Sequence, residues 1–343
     1  MKITMAWSVV AAVLAAAAPA RAAGKLRVVT TTTELAAIAR AVGGDRVEVK
    51  SIGDGTQDPH FIEPKPSTMV IARNADLWIR VGMELEIGYE GIIIDGSRNP
   101  KIRLGTPGHL DASEKVLKLE VPDRKIDRSE GDVHPQGNPH YWLDPWNGRV
   151  MAGEIAARLS SLDPDHRTEY EKNLTAFRER LDRAAFGEIL VKKIGGDRLW
   201  AAETGGALDA FLETEKSAGE LGGWFGILRP YRGRKMVMYH RSWTYFNHRF
   251  GFTSVAELEP KPGIPPGPGH LAEVIRRVKA EDAAFLLKEP FYEKKGPAFV
   301  EEKTGLRVVE AANTVNGEPG VADYPAVFDN LVRKVAAVLA SAK

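Results

Sequence analysis

Residues 138–145 read Asn-Pro-His-Tyr-Trp-Leu-Asp-Pro, and the rest of the chain can be understood outward from this stretch. The first proline biases the residue before it away from helical geometry, which stiffens the approach to His140. Tyr141 and Trp142 carry large rings that can pack beneath the imidazole. A histidine in this setting is predicted to lie in a rigid loop, where it could serve as a ligand.

Two other histidines stand in similarly constrained settings. His60 lies in Asp-Pro-His-Phe-Ile-Glu-Pro-Lys-Pro-Ser at residues 58–67, and His240 lies in Met-Tyr-His-Arg-Ser-Trp at residues 238–243. We interpret the three histidines, which are far apart in the chain, as ligands that meet around one metal ion. Each of them could instead be a packed or exposed residue, and no short-range ligand motif decides between these interpretations.

Alternating strands and helices precede the central stretch. Strands are predicted at residues 26–31, 47–52 and 77–81, with helices at 34–42 and 67–72. Ser67 is the predicted N-cap of the second helix. Such alternation implies α/β architecture with a mostly parallel sheet and helices on both faces. Ligands bind at the carboxyl ends of the strands of such sheets, and His60 falls at one of these ends.

The second half of the chain repeats this pattern. Strands are predicted at residues 235–239, 253–258, 284–287 and 306–309, with helices at 245–250, 271–279 and 324–340. His240 directly follows the first of these strands. The sequence therefore predicts a second α/β lobe that also brings a histidine to the end of a strand.

A long helix is predicted between the two halves. Residues 165–190 carry apolar side chains at spacings of three and four, which predicts a helix of about 25 residues and roughly 37 Å. We expect an N-terminal lobe at 23–162, a rigid linking helix at 163–190 and a C-terminal lobe at 191–343. Residues 95–137 are predicted to be irregular with short strand-like pieces, and residues 195–234 receive no assignment.

Residues 1–22 are typical of a cleavable signal peptide. Lys2 begins a short charged region, residues 5–18 are apolar, and Ala-Arg-Ala at 20–22 is a small-x-small cleavage site. The apolar run is shorter than the roughly 20 residues that a membrane-spanning helix needs. We therefore expect export to the periplasm, and no lipid anchor because the chain contains no cysteine.

The composition narrows the possible ligands and partners. Without cysteine, a chain of 343 residues must rely on ordinary hydrophobic cores, and its metal ligands must come from His, Asp and Glu. The formal net charge is +1, which gives no argument for nucleic acid or an anionic membrane as a partner.

Several motifs follow one another in an order that is specific to one family. They are Asp-Pro-His at 58–60 with Pro64 to Ser67, Asn-Ala-Asp-Leu at 74–77, Val-Gly-Met-Glu-Leu-Glu at 81–86, the stretch at 138–145, and Tyr-His at 239–240 with Tyr245-Phe246. In this combination the chain resembles the metal-specific solute-binding proteins of zinc and manganese ABC importers. The resemblance implies two α/β lobes joined by a long rigid helix, and one metal ion in the cleft between them. It also implies His60, His140 and His240 as ligands.

The resemblance bears on the choice of metal and on the fourth ligand. Manganese receptors tend to carry a carboxylate where His240 stands, whereas zinc receptors carry histidine, and imidazole suits Zn²⁺ while Mn²⁺ favours oxygen. We therefore expect Zn²⁺, with Mn²⁺, another metal or a metal chelate as the alternative. The fourth ligand implied is Asp323, which could instead cap the last helix. Glu259, Glu289 and water are the other candidates.

The remaining polar and aromatic residues have simpler interpretations. Many zinc receptors carry a histidine-rich loop before the second ligand, whereas this chain has only His134 there, which we interpret as a loop residue. Trp142 and Trp146 are predicted to pack beneath the site. Glu84 and Glu86 could orient an imidazole or form a solvated pair. The histidines interpreted as surface or packing residues are His109, His166, His248 and His270.

Together these features imply a monomeric periplasmic receptor that binds Zn²⁺ and delivers it to the permease of an ABC transporter in the inner membrane, with no role for nucleic acid. The competing class is a secreted zinc hydrolase. Such an enzyme needs an open coordination position and a general base. The sequence contains neither a His-Glu-x-x-His motif nor a Gly-x-Ser-x-Gly motif.

Overall fold

The computed structural model describes residues 24–125, 133–261 and 263–341. The predicted signal peptide at 1–22 lies outside the described residues. Within those three ranges, no helix combines the length and the apolar character that crossing a membrane requires.

The first lobe contains the strands β1 (Leu26–Thr30), β2 (Val47–Ser51), β3 (Leu77–Arg80) and β4 (His109–Asp111). They form one parallel sheet in the order β2-β1-β3-β4. The central strands β1 and β3 bury side chains on both faces, among them Val28, Val29 and Trp78. Burial on both faces is expected of a parallel sheet that is covered by helices.

The second lobe repeats this topology with the strands β5 (Lys235–Met238), β6 (Thr253–Glu257), β7 (Phe285–Lys288) and β8 (Arg307–Glu310). Their order is β6-β5-β7-β8, and all three pairings are parallel. The two lobes therefore place corresponding strands, β1 and β5, at the same position in their sheets.

The helices of the first half are α1 (Thr33–Gly43), α2 (Pro66–Arg73), α3 (Glu90–Ser97), α4 (Pro145–Leu162) and α5 (Arg167–Phe186). Short helices follow, namely α6 (Glu188–Ile194), α7 (Gly196–Thr204), α8 (Leu208–Thr214) and α9 (Gly223–Leu228). The second lobe adds α10 (Thr244–Phe250), α11 (Pro268–Glu281), α12 (Lys295–Thr304) and α13 (Tyr324–Ser341). Two parallel sheets with flanking helices confirm the predicted α/β fold class.

The long helix α5 contacts elements of both halves, since it packs against α1 of the first half and against α9 and α13, which follow it in the chain. Its 20 residues correspond to about 30 Å, which is shorter than the predicted helix over 165–190. The helix ends at Gly187, whose φ of 89° is unfavourable for other residues. The chain then continues in the separate helix α6.

Other elements also differ from the prediction. The N-cap of α2 is Lys65 rather than Ser67, because Pro66 occupies the first helical position, where its fixed φ is favourable. The segment predicted to be irregular contains β4, which has only three residues. The unassigned residues 195–234 fold into short helices that pack Trp200 and Phe225 against one another.

The strand ends position the polar residues of interest. The loop after β2 leads to His60, β5 ends two residues before His240, and β6 ends two residues before Glu259. All strands within each sheet are parallel, so their carboxyl ends meet at one edge. Both lobes therefore direct ligand-type side chains toward a common cleft.

Candidate metal centre

His60 is positioned by a short turn after β2. Asp58 caps the single 3₁₀ turn Pro59–Phe61 because its Oδ1 accepts a hydrogen bond from the backbone N–H of His60 at 3.0 Å. A proline at the first position of the turn further restricts the backbone. The imidazole is buried, with 7% of its residue surface exposed.

His140 is oriented by Asn138, two residues earlier. The Oδ1 atom of Asn138 lies 3.0 Å from the backbone N of His140 and 2.9 Å from its Nδ1. An amide oxygen only accepts, so Nδ1 carries the proton and Nε2 presents a lone pair. The Trp142 ring lies 5.1 Å from the imidazole, centroid to centroid, as predicted for a residue that packs beneath the site. Trp146 instead packs against Trp200.

His240 lies two residues beyond the end of β5 and is oriented by Glu259. Its Nδ1 lies 2.6 Å from Oε2 of Glu259, and both side chains are buried. The same carboxylate oxygen accepts a hydrogen bond from the backbone N–H of Gly263 at 3.1 Å. A carboxylate that accepts the Nδ1 proton leaves Nε2 available and increases its basicity.

The structure brings these three histidines together. Each offers one ring nitrogen, and the three nitrogens lie within 4.8 Å of one another. The Nε2 atoms of His60 and His140 are 3.2 Å apart. Two nitrogens bound to one tetrahedral zinc at about 2.0 to 2.1 Å would be about 3.3 Å apart. The arrangement therefore suits a single small cation with nitrogen ligands.

Burial and charge affect the histidines differently. Burial, aided by the neighbouring imidazoles of His60 and His240, lowers the pKa of His140 well below 6.5. Burial also lowers the pKa of His240, but the hydrogen bond and the charge of Glu259 outweigh it, so the pKa of His240 is raised above 6.5. His140 is thus neutral at physiological pH and needs no proton loss before it binds a cation.

The expected fourth ligand, Asp323, is not placed with the histidines. One of its carboxylate oxygens accepts a hydrogen bond from Arg180 at 2.6 Å, and the other accepts from the backbone N–H of Ala326 at 3.0 Å. Its side chain is 38% exposed. Asp323 therefore caps α13, which is the alternative that the sequence left open.

The other carboxylates considered as ligands have distinct settings. Glu259 is engaged by His240 as described. Glu289 follows β7 and is fully buried, and burial raises the pKa of its carboxyl group to about 7. Glu86 accepts hydrogen bonds from the Thr31 hydroxyl and from the backbone N–H groups of Val81 and Gly82. The prediction that Glu86 orients an imidazole or is solvated is therefore wrong.

The remaining histidines occupy other positions. The ring of His134 is buried and lies 5.1 Å from that of His60, although its nitrogens are outside the group of three. His109 bonds to Glu90, His166 to Asp163 and His270 to the carbonyl of Glu257, and His248 is exposed.

Sequence reasoning missed the groups that orient the imidazoles. Asp58 and Asn138 belong to the same pattern, an Asx residue followed by proline and histidine, and each uses Oδ1 to accept the backbone N–H of the histidine. That repeated Asx-Pro-His pattern was the available signal. Glu259 was considered only as a ligand, because its pairing with His240 depends on the adjacency of β5 and β6.

A cavity of about 580 Å³ opens beside two of the three imidazoles. Its lining includes His140, His240 and Asn138, together with the charged residues Arg241 and Glu120. The fold and the site together define a two-lobed α/β protein with a nitrogen-rich cation site that is reached through a cleft.

The chain belongs to the family described as zinc-uptake complex component A, periplasmic (ZnuA), whose family model matches residues 28–185 and 227–338. It is 26% identical over 197 residues to the high-affinity zinc uptake system protein ZnuA of Brucella abortus, covering 57% of this chain and 47% of that protein. It is 33% identical over 159 residues to the manganese ABC transporter substrate-binding lipoprotein PsaA of Streptococcus pneumoniae, covering 46% and 49%. The matches thus span about half the length of these relatives.

Solved structures show the same fold. A crystal structure of ZnuA superposes with a TM-score of 0.67 at 22% identity, covering 92% of this chain and 99% of that one. The Mn-bound periplasmic metal binding protein from Candidatus Liberibacter asiaticus gives a TM-score of 0.63 at 18% identity, covering 92% and 100%. At these identities the likeness concerns the fold.

Proposed function

We propose that this protein is a periplasmic receptor that binds one Zn²⁺ ion between its lobes and delivers it to the permease of an ABC importer. The observation that carries the proposal is the convergence of ring nitrogens from His60, His140 and His240 in a buried cluster. Family membership supports the transport role, since the matching family is described by zinc uptake and by the periplasm.

The donor set supports zinc over manganese. Three imidazole nitrogens with spacings near those of a tetrahedral ion suit Zn²⁺, whereas Mn²⁺ favours more oxygen ligands. In this proposal the fourth position is filled by water or by a carboxylate of the cleft, and Asp323 is not its ligand. Manganese is the second candidate, because one of the relatives is named as a manganese transporter component.

The receptor role implies binding without turnover, as a monomer that releases its ion to a membrane partner. A hydrolytic role would instead require a bound water activated beside a general base. Hydrolysis of ester or peptide substrates that disappears on chelation would support the enzyme instead.

Equilibrium dialysis tests the proposal directly. The mature protein should retain one zinc per chain, and His140→Ala should abolish tight retention. His248→Ala is the matched control because it removes an exposed imidazole and should leave the stoichiometry at one. Circular dichroism checks that both variants fold. His240→Ala removes a proposed ligand of the second lobe and should likewise abolish tight retention. Unchanged retention in His140→Ala and His240→Ala would contradict the proposed site.

Competition calorimetry distinguishes the two metals. A protein loaded with Mn²⁺ should release it when Zn²⁺ is added, and the reverse exchange should be negligible. Preferential retention of Mn²⁺ would favour the manganese receptor.

A further inference from the structure

His60 is held through its backbone by Asp58. Oδ1 of Asp58 accepts the backbone N–H of His60, just as Oδ1 of Asn138 accepts that of His140. Asp58 therefore helps to fix the turn that carries the His60 imidazole. Whatever holds the Asp58 carboxylate supports the position of that ligand.

The second oxygen of Asp58 is held by the opposite lobe. The hydroxyl group of Tyr292 donates a hydrogen bond to Oδ2 of Asp58 at 2.9 Å. Tyr292 follows β7 of the second sheet, and Asp58 follows β2 of the first. This hydrogen bond therefore links the two lobes directly beside the histidine cluster.

Tyr292 is itself firmly positioned. Its ring stacks on that of Tyr239 with centroids 4.5 Å apart and planes 13° from parallel. The Phe291 ring meets it edge-on at 4.8 Å. The next residue in the chain, Glu293, accepts hydrogen bonds from backbone N–H groups at the start of α12, including that of Gly296 at 2.9 Å. The hydroxyl group therefore projects from a rigid support.

These contacts form a continuous path between two proposed ligands. Tyr239 precedes His240 in the chain and stacks on Tyr292, which bonds to the Asp58 carboxylate that holds the His60 backbone. The path passes from one lobe to the other through the single phenol oxygen.

We propose that Tyr292 is a positioning residue, whose hydroxyl group holds the His60 loop of the first lobe at the distance from His240 that one small cation requires. This inference rests on the proposed function. Loss of the hydroxyl group removes no metal ligand, but it leaves the Asp58 turn without this hydrogen bond. The metal should therefore bind with the same stoichiometry and with lower affinity. Groups that orient metal ligands typically contribute about 10- to 100-fold in affinity.

The test compares Tyr292→Phe with Tyr239→Phe in the full mature protein. Both variants keep the stacked rings and each loses one hydroxyl group, but only Tyr292 bonds to Asp58. Tyr292→Phe should weaken Zn²⁺ binding about tenfold and accelerate zinc dissociation, while Tyr239→Phe should match the wild type. The visible absorption of bound Co²⁺, which reports ligand geometry, should change only in Tyr292→Phe.

Asp58→Asn provides an independent check. The amide oxygen can still accept the His60 N–H, while the amide nitrogen cannot accept from the phenol. If the two residues act through one hydrogen bond, their effects should not add. The double variant Asp58→Asn/Tyr292→Phe should then bind Zn²⁺ as tightly as the single variant with the lower affinity.

The outcomes separate the inference from the proposed function. Wild-type protein that fails to retain zinc would overturn the proposed function itself. Wild-type retention with unchanged zinc affinity and Co²⁺ spectrum in Tyr292→Phe would overturn only the positioning role. Equal losses in Tyr292→Phe and Tyr239→Phe would also overturn it, because the effect would then belong to the ring stack.

Discussion

The Nδ1 atom of His240 lies 2.6 Å from Oε2 of Glu259, and both side chains are almost completely buried. The residues come from the ends of the adjacent parallel strands β5 and β6. A buried carboxylate and imidazole in this geometry favour the Nδ1 proton and direct Nε2 toward the other two histidines.

Glu259→Gln should weaken zinc binding by about 10- to 100-fold while leaving one zinc per chain. The amide is a poorer acceptor than the carboxylate, so the His240 imidazole becomes less basic and less firmly oriented. Titration against a zinc chelator of known affinity measures the change. Glu257→Gln, two residues earlier, removes the same charge without affecting the His240 contact and should behave like wild type. Equal affinities for the two variants would contradict the role of Glu259.

Acid and alkali should destabilise the metal-free protein through different histidines. The pKa of His140 is lowered below 6.5, so below about 6.5 the unfolded chain binds more protons and the free energy of unfolding falls as the pH falls. The pKa of His240 is raised, so its stabilising contribution is complete below about 6.5 and is lost as the pH rises through its raised pKa.

Paired variants separate these two effects. His140→Gln should reduce the loss of stability on the acid side only, and His240→Gln should reduce the loss on the alkaline side only. Urea unfolding in the presence of a chelator, from about pH 5 to about pH 9, measures the free energy of unfolding on both the acid and the alkaline side. If His140→Gln changed the alkaline side, or His240→Gln the acid side, the direction of the pKa shift assigned to that histidine would be wrong.

Much of the fold could be predicted because short apolar runs, typical of buried strands, alternate along the chain with segments of helical periodicity. Val28 and Val29 of β1 and residues 236–238 of β5 are buried, so each strand contains a short continuous apolar run. The position of β4 among the short strand-like pieces of residues 95–137 was not predicted, because three residues at a sheet edge carry too little pattern. The helices after α5 were missed because Gly187 and Gly195, both with positive φ, divide the segment into short pieces.

The site was predictable only in part. Proline and aromatic neighbours singled out His60, His140 and His240, and the family resemblance joined them. Asp323 was expected as the fourth ligand, but an acidic residue just before a helix is equally suited to capping that helix, and the fold shows it making the capping contact. The Tyr292 contact joins residues 234 positions apart, and no local pattern encodes such a pairing.

Arg249→Met should destabilise the metal-free protein by about 3 to 5 kcal/mol. Arg249 and Asp144 form two hydrogen bonds, at 2.8 and 2.7 Å, and both side chains are buried. Removal of the guanidinium leaves the Asp144 carboxylate buried without its cation. Arg276→Met removes the exposed pair with Glu273 and should cost much less, because solvent screens that pair. Chemical denaturation compares the two, and similar losses would contradict the importance of burial.

Asp323→Ala should retain one zinc per chain with an affinity close to that of the wild type. The carboxylate caps α13 through the N–H of Ala326 and pairs with the exposed Arg180, so its removal should lower the free energy of unfolding by about 1 kcal/mol. Dialysis and chemical denaturation of the same sample measure both quantities. His60→Ala serves as the contrasting variant, since it should lose zinc. Loss of zinc by Asp323→Ala at unchanged stability would restore the carboxylate as a ligand, and would require α13 to move toward the histidines when the metal binds.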